Sequence, residues 1–130
     1  MKIHHYREVT PLPVPGIEET TEGMTIRRVI SEVDGAGDFV MDVFEIEPQG
    51  HSEMHRHPWE HQIFVVSGAG ELRGGDEAAT FGPGDVIFIP PDDEHQFRNT
   101  GTEPVVFVCS IPKAALTAYY IDQADSPLGR

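Results

Sequence analysis

Cysteine is almost absent from this sequence, because Cys109 is the only one among 130 residues. A single cysteine excludes an intramolecular disulfide and a zinc site built from several thiolates. Such sparse use of cysteine is typical of proteins from reducing compartments. The sequence also lacks the apolar run of a signal peptide, and no stretch approaches membrane-spanning length. We therefore expect a cytoplasmic protein.

Basic residues are scarce as well. Nine lysines and arginines stand against 22 aspartates and glutamates, which gives a formal net charge of −13. A surface of that sign repels phosphate backbones and anionic membranes, so neither nucleic acid nor a membrane is an expected partner. The simplest role of this charge is to keep the protein soluble.

Long helical stretches are lacking in the middle of the chain, because glycine and proline interrupt it at short intervals. The segments between these residues are short and rich in Val, Ile and Phe, which is typical of strands. Seven strands are predicted: Thr25 to Ile30, Phe39 to Ile46, Ile63 to Ser67, Ala78 to Phe81, Val86 to Ile89, His95 to Arg98 and Val105 to Ile111. The glycine clusters Gly68-Ala69-Gly70 and Gly74-Gly75 are interpreted as hairpin turns. Many short strands with frequent turns favour an all-β fold, either an antiparallel barrel or a sandwich.

The length of the chain fits a single domain. We divide it into an N-terminal arm with the first strand region (1–24), a barrel (25–112) and a C-terminal tail (113–130). Alternating prolines between Thr10 and Gly16 favour an extended arm. Such an arm suits either a contact across a partner subunit or a plain surface segment. An Ala, Leu and Tyr stretch within Lys113 to Gln123 predicts one or two helical turns.

Three of the seven histidines crowd into the run from His55 to His61. Side chains alternate along a strand, so His55, His57 and His61 share one face if Pro58 leaves the register unchanged. Ile63 continues the same parity, which places these rings on an inward, apolar face. Buried imidazoles without partners each cost roughly 1–3 kcal/mol. A divalent metal ion removes that cost by binding the neutral nitrogens.

A second predicted strand supplies His95, with Phe97 on the same face. Taken together, the four histidines form a candidate metal site: His55, His57, His61 and His95. Taken singly, His95 also fits a hydrogen-bonded structural residue, and the run from His55 to His61 also fits a solvated loop. The other three histidines do not belong to such a cluster and are expected at the surface: His4, His5 and His51.

Both histidine segments resemble the two halves of the cupin superfamily signature. The first half reads Gly50, His55-Arg56-His57-Pro58-Trp59-Glu60-His61-Gln62 and Gly68, and in the second half Gly84, Pro90, His95 and Asn99 fall at the family spacing. Asp92 stands where the family usually has glycine. The resemblance spans about Thr25 to Ile111 and implies a jelly-roll cupin barrel, a double-stranded β-helix.

One departure concerns the glutamate that cupins usually place among the metal ligands. That position falls on His61 or on Gln62, depending on the spacing, and Glu60 is one residue too early. Shared parity and the better affinity of imidazole for divalent metals favour His61, with Gln62 as the alternative ligand. The run is also similar to that of small single-domain cupins that bind metal through four histidines.

The resemblance implies manganese or iron, with zinc, nickel or copper as alternatives. An octahedral ion with four histidine ligands keeps two adjacent positions open, whereas a tetrahedral zinc ion would be saturated. We therefore expect an oxygenase or dioxygenase that acts on a small organic substrate, aromatic or enolic. The alternatives are a non-enzymatic module that binds a small ligand and, ranked last, a sugar isomerase.

Parity also predicts the pocket around the metal. Ile63, Phe97, Phe107 and Cys109 are expected to line it, and Glu60, Gln62 and Glu94 are candidate partners of the ligand rings. Cys109 fits either a buried structural residue or an oxidisable residue beside the metal. Small cupins commonly pair through sheet faces and N-terminal arms, so the resemblance implies a homodimer.

Overall fold

The structure is a computed structural model that describes residues 1–14 and 21–115. These residues form nine strands: β1 (Leu12–Pro13), β2 (Glu22–Ile30), β3 (Phe39–His51), β4 (His61–Ser67), β5 (Gly70–Gly74), β6 (Glu77–Phe81), β7 (Val86–Ile89), β8 (Gln96–Asn99) and β9 (Val105–Pro112). Two short 3-10 helices, Tyr6–Glu8 and Glu32–Asp34, accompany them. No helix within the described ranges is long and apolar enough to cross a membrane. The predicted all-β jelly-roll barrel is confirmed.

The long strand β3 organises the barrel. The strands follow the order β6-β5-β8-β3-β9-β4-β7, and β2 joins the other edge of β3 while pairing with β1. All of these pairings, over the described parts of the chain, are antiparallel. As a result, β2, β3, β9 and β4 lie side by side and present one continuous inner wall.

Alternation along the strands separates the core from the surface. In β9 the buried residues are Val105, Phe107, Cys109 and Ile111, and the residues between them are half-buried. Phe107 stacks on Phe97 of β8, with ring centroids 4.9 Å apart. Full burial of one such side chain contributes about 1.5–3 kcal/mol, so this period-two pattern decides which face of each strand turns inward.

β3 and β5 differ from the prediction. Glycine is frequent in turns, but it also occurs where two strands approach each other closely. β3 continues beyond the predicted end at Ile46 as far as His51, and Gln49 takes a positive φ of 69°. β5 lies where the sequence predicts two hairpin turns, yet it is a strand that pairs with both β6 and β8. A β-carbon on Gly70 would collide with the carbonyl oxygen of Arg98, and one on Gly74 with that of Glu94. The glycines therefore allow close strand approach rather than a turn.

The N-terminal arm packs against the barrel of its own chain in its described part. Leu12 pairs with Ile26 and Pro13 with Thr25, which makes β1 a short antiparallel partner of β2. β2 itself begins at Glu22, three residues earlier than predicted. Residues 15–20 of the arm region lie outside the described ranges, and so do residues 116–130 of the tail with most of the predicted helical turns.

Candidate metal centre

Four histidine side chains converge at one point inside the barrel. His55 and His95 form a backbone bridge through two hydrogen bonds, with N···O distances of 3.1 and 2.9 Å. His57 lies in the loop that follows, and His61 is the first residue of β4. One ring nitrogen from each lies within 4.8 Å of the others. We call these four residues the histidine group.

The route to this convergence differs from the predicted one. Residues 56–60 form a loop with a bend at Pro58 and Trp59, so His55 to His61 is not a continuous strand. Proline has no N–H group to donate to a strand ladder, and the chain leaves the sheet here. The His57 ring instead stacks on Trp59, with centroids 4.0 Å apart and planes 10° apart. Loop geometry, not strand parity, brings His57 to the group.

Backbone carbonyls orient two of the rings. Nδ1 of His57 donates to the carbonyl oxygen of Trp59 at 2.9 Å, and Nδ1 of His95 donates to that of Asp93 at 2.8 Å. Because a carbonyl oxygen only accepts, the neutral rings carry their proton on Nδ1 and present the lone pair on Nε2. Nε2 of His57 lies 2.8 Å from Nε2 of His61. A proton on Nε2 of His61, in an N–H···N hydrogen bond, or a cation between the two nitrogens would satisfy this approach.

Side chains contact the outer nitrogens of the other two rings. Nδ1 of His61 lies 3.0 Å from Sγ of Cys109, and Nδ1 of His55 lies 3.2 Å from Oε1 of Glu53. Glu53 is only 3% exposed and borders the same pocket. Sequence reasoning missed Glu53, although it precedes the first ligand candidate by two residues and shares its parity.

Burial keeps the rings neutral. It lowers the pKa of His57 and of His95 to about 4 and that of His61 to about 2, and neighbouring histidine rings lower all three further. At neutral pH these nitrogens are therefore available as ligands. Burial also raises the pKa of the Cys109 thiol. Because the thiolate is the reactive form, a raised pKa favours the structural role for Cys109 over the oxidisable one.

The donor set fits a single divalent ion. Two imidazole nitrogens that bind one ion at about 2.1 Å in adjacent positions lie roughly 3 Å apart. The 2.8 Å approach of His57 to His61 is close to that spacing, and one ring nitrogen of each of the four histidines lies within 4.8 Å of the others. The histidine group could therefore hold a metal ion.

A pocket extends from the histidine group into the barrel. The predicted residues Ile63, Phe97, Phe107 and Cys109 all line it, and so does Trp59. Most other lining side chains are apolar, apart from a few polar groups that include Arg28, Asp42, Ser52 and Glu53. Sequence reasoning missed all four of these residues.

The other predicted neighbours of the metal turn away from it. Gln62 is exposed on the outer face of β4, where its amide nitrogen donates to Glu60 at 2.9 Å. Glu94 forms an ion pair with Arg56 at 3.4 Å near the surface. The contact with a ring nitrogen that was predicted for Glu60 or Glu94 is made by Glu53 instead.

The remaining histidines lie outside the group, as expected from the sequence. His4 and His5 are exposed, and His5 stacks on Tyr6. His51 is half-buried and its Nδ1 lies 3.0 Å from the carbonyl oxygen of Ser52. None of the three is among the residues that share the 4.8 Å span.

Lowered histidine pKa values predict that the metal-free protein loses stability in mild acid. In the unfolded chain a histidine takes up a proton near pH 6.5, whereas His57 and His95 in the folded chain do so only near 4. Their contribution to stability is therefore complete above pH 6.5 and is lost as the pH falls toward 4. Melting temperatures of chelator-treated protein across this range measure the effect. The decline should be shallower in His57→Gln, because glutamine does not titrate. Equal declines in both proteins would contradict the assignment.

Comparison with known proteins agrees with this fold. A family model described as a cupin domain matches residues 42–111, which is more than half of the chain. The polyketide cyclase RemF from Streptomyces resistomycificus is 34% identical, with a TM-score of 0.81 over 87% of this chain and 80% of that one. A cupin-2 domain from Rhodospirillum rubrum shares the fold at 23% identity, with a TM-score of 0.72 over 99% of this chain and 95% of that one.

A curated relative is similar over a shorter region. The 1-methylthio-D-xylulose 5-phosphate methylsulfurylase of Rhodospirillum rubrum is 34% identical over 68 residues, which cover 52% of this chain. The match covers 44% of the relative, so this chain spans less than half of the length of that protein.

Proposed function

This chain belongs to the cupin domain family, and from that premise we propose that it is a metal-dependent enzyme that closes a ring in a small enolisable substrate. One observation carries the proposal: four imidazoles converge on the wall of a largely apolar pocket. Support for ring closure comes from the 34% identity with the polyketide cyclase RemF across 87% of the chain.

The histidine group would hold the metal: His55, His57, His61 and His95. Four imidazoles suit iron, zinc, nickel or copper better than manganese, which prefers oxygen ligands. Of the two metals expected from the sequence, the donor set therefore favours iron. A divalent ion supplies Lewis-acid stabilisation of negative charge on a substrate oxygen.

The side chains around the histidine group would orient the ligand rings and enclose the substrate. Glu53 and Cys109 contact the outer nitrogens of His55 and His61, which restrains these rings in the direction that ligation needs. Phe97 and Phe107 stack on each other and line the apolar part of the pocket. Their apolar surface excludes water, which strengthens electrostatic interactions with an enolate.

A linear triketo ester tests ring closure. Its intramolecular aldol condensation forms a carbon–carbon bond, releases one water molecule and yields an aromatic ring, with no net oxidation. We expect metal-loaded protein to accelerate the appearance of the aromatic absorbance by at least about a hundredfold over chelator-treated protein. His51→Ala is the matched control and should keep wild-type activity, because His51 lies outside the histidine group. Equal rates with and without metal would contradict the proposal.

An oxygenase is the second candidate, and the number of ligands favours it. A six-coordinate ion held by these four histidines would keep positions for dioxygen and a substrate oxygen, which non-haem oxygenases require. An oxygen electrode separates this reaction from ring closure, because only oxygenation consumes oxygen. Acetylacetone, a simple enolisable diketone, is a suitable probe. Tight binding of such a probe without any turnover would favour the non-enzymatic alternative.

We propose that the protein forms a homodimer through the outer face of β4 and β7. Four large apolar side chains are exposed there: Phe64, Val66, Val86 and Phe88. Phe64 pairs with Val86 across the two strands, so the patch is continuous. The patch carries no charge, whereas the chain carries −13, so two copies repel each other least through this face. Light scattering after size exclusion should give twice the chain mass for the wild type and the single mass for Phe88→Glu.

A further inference from the structure

A buried ion pair lies in the wall of the pocket, outside the histidine group. Nε of Arg28 donates to Oδ1 of Asp42 at 2.9 Å, and Nη2 donates to Oδ2 at 3.1 Å. Only 5% of Arg28 and 2% of Asp42 are exposed, and both residues line the pocket. Asp42 therefore engages one edge of the guanidinium group, and Nη1 is not part of this pairing.

A gain in the stability of the folded protein does not by itself explain why a buried ion pair is present here. Removing two charges from water costs more than an average ion pair returns, and apolar replacements of similar volume are often neutral or stabilising. The neighbouring inward residues of the two strands, Ile26 and Phe44, show that apolar side chains fit this wall. A charged pair that borders a pocket under these conditions marks a functional position.

The pair and the histidine group line the same pocket and are connected across its inner wall. Arg28 is directly opposite Asp42 in the pairing of β2 with β3, and Asp42 is opposite Cys109 in the pairing of β3 with β9. Cys109 in turn contacts His61 at 3.0 Å. A single row across the inner wall therefore leads from the metal ligands to the guanidinium group.

We propose that Arg28 binds a carboxylate or a similarly planar oxyanion of the substrate, at the end away from the metal. The inference rests on the proposed function and adds a substrate class to it: an enolisable carbonyl compound with a second, anionic group. Asp42 is a positioning residue, since its bidentate contact fixes the plane of the guanidinium. Asp42 also neutralises one charge, so the site suits a monoanion better than a phosphate dianion.

Triacetic acid and its methyl ester provide the test, because they share the diketone and differ only in the carboxylate. Calorimetric titration of the protein, with the metal that it carries on purification, measures both dissociation constants. We expect the acid to bind at least about tenfold more tightly than the ester to the wild type. In the double variant Arg28→Met with Asp42→Leu this ratio should fall to about one, with ester binding unchanged within roughly twofold.

The double variant leaves neither charge unpaired, so it should fold, and circular dichroism and metal content verify that it does. Arg27→Met is the matched control, because Arg27 lies on the opposite face of β2 and pairs with Glu45; it should keep the wild-type ratio. Arg28→Lys retains the charge without the planar fork and should give an intermediate ratio, which serves if the double variant does not fold.

An unchanged ratio in the double variant would overturn the inference. So would a wild type that binds neither compound or does not distinguish them. The readout is binding rather than turnover. Failure of ring closure with the expected binding ratios would therefore refute the proposed reaction and leave the Arg28 site standing.

Discussion

Replacement of His61 by alanine is expected to remove at least about nine tenths of the bound metal, because a ligand is lost from a preformed site. Nε2 of His61 lies 2.8 Å from Nε2 of His57, at the centre of the histidine group. The vacated volume lies beside Cys109, and the other imidazoles that line this pocket already belong to the histidine group. Elemental analysis after metal loading and gel filtration gives the metal-to-protein ratio.

Gln62→Ala is the matched control for this experiment. Gln62 follows His61 in the chain but faces solvent, and its amide contacts Glu60. The variant should therefore retain the wild-type metal content. Loss of metal from Gln62→Ala, with retention by His61→Ala, would assign the ligand to the amide and contradict the geometry of β4.

Asp42→Ala is expected to destabilise the folded protein by roughly 3–5 kcal/mol, because it leaves the guanidinium of Arg28 buried without its partner. Asp42 is 2% exposed, and both of its carboxylate oxygens accept hydrogen bonds from Arg28. Urea denaturation followed by circular dichroism measures the change in the free energy of unfolding.

An outward-facing ion pair on the same two strands provides the comparison. Arg27 and Glu45 lie 3.4 Å apart, with 15% and 36% of their side chains exposed. Glu45→Ala should cost at most about 1 kcal/mol, because the pair is partly exposed and Arg27 keeps the hydrogen bond from its Nε to the carbonyl oxygen of Val9. If the two substitutions destabilise the protein equally, the Arg28–Asp42 pair is not buried as described.

Much of the fold was predictable because strand patterns are local. The predicted bounds of the strand from Val86 to Ile89 agree with β7, and those of most other strands differ by one to three residues at an end. One element, β5, was missed for a physical reason: glycine marks turns, but it also permits close approach of two backbones. Gly70 and Gly74 serve the second purpose at the ends of β5, and only the neighbouring strand reveals it.

The histidine group was predictable in composition but not in geometry. The four histidines lie in two segments of a β-rich chain and are arranged like the cupin signature. That arrangement was enough to identify them as candidate ligands. The parity argument that joined His57 to His61 assumed a strand, and the structure has a bend at Pro58 and Trp59. The ring of His57 is placed by a carbonyl and by a stacked indole, and neither contact is encoded in spacing.

By itself, the sequence determined the class of fold, the approximate strand bounds and the four histidines that meet, because hydrophobic alternation, turn residues and motif spacing are properties of short segments. Only the tertiary structure decided that Glu53 contacts His55, that Gln62 faces solvent, and that Arg28 and Asp42 pair inside the pocket. Those facts depend on which strands become neighbours and on how far each is shifted along the other. Strand register joins residues far apart in the chain, so no local pattern contains it.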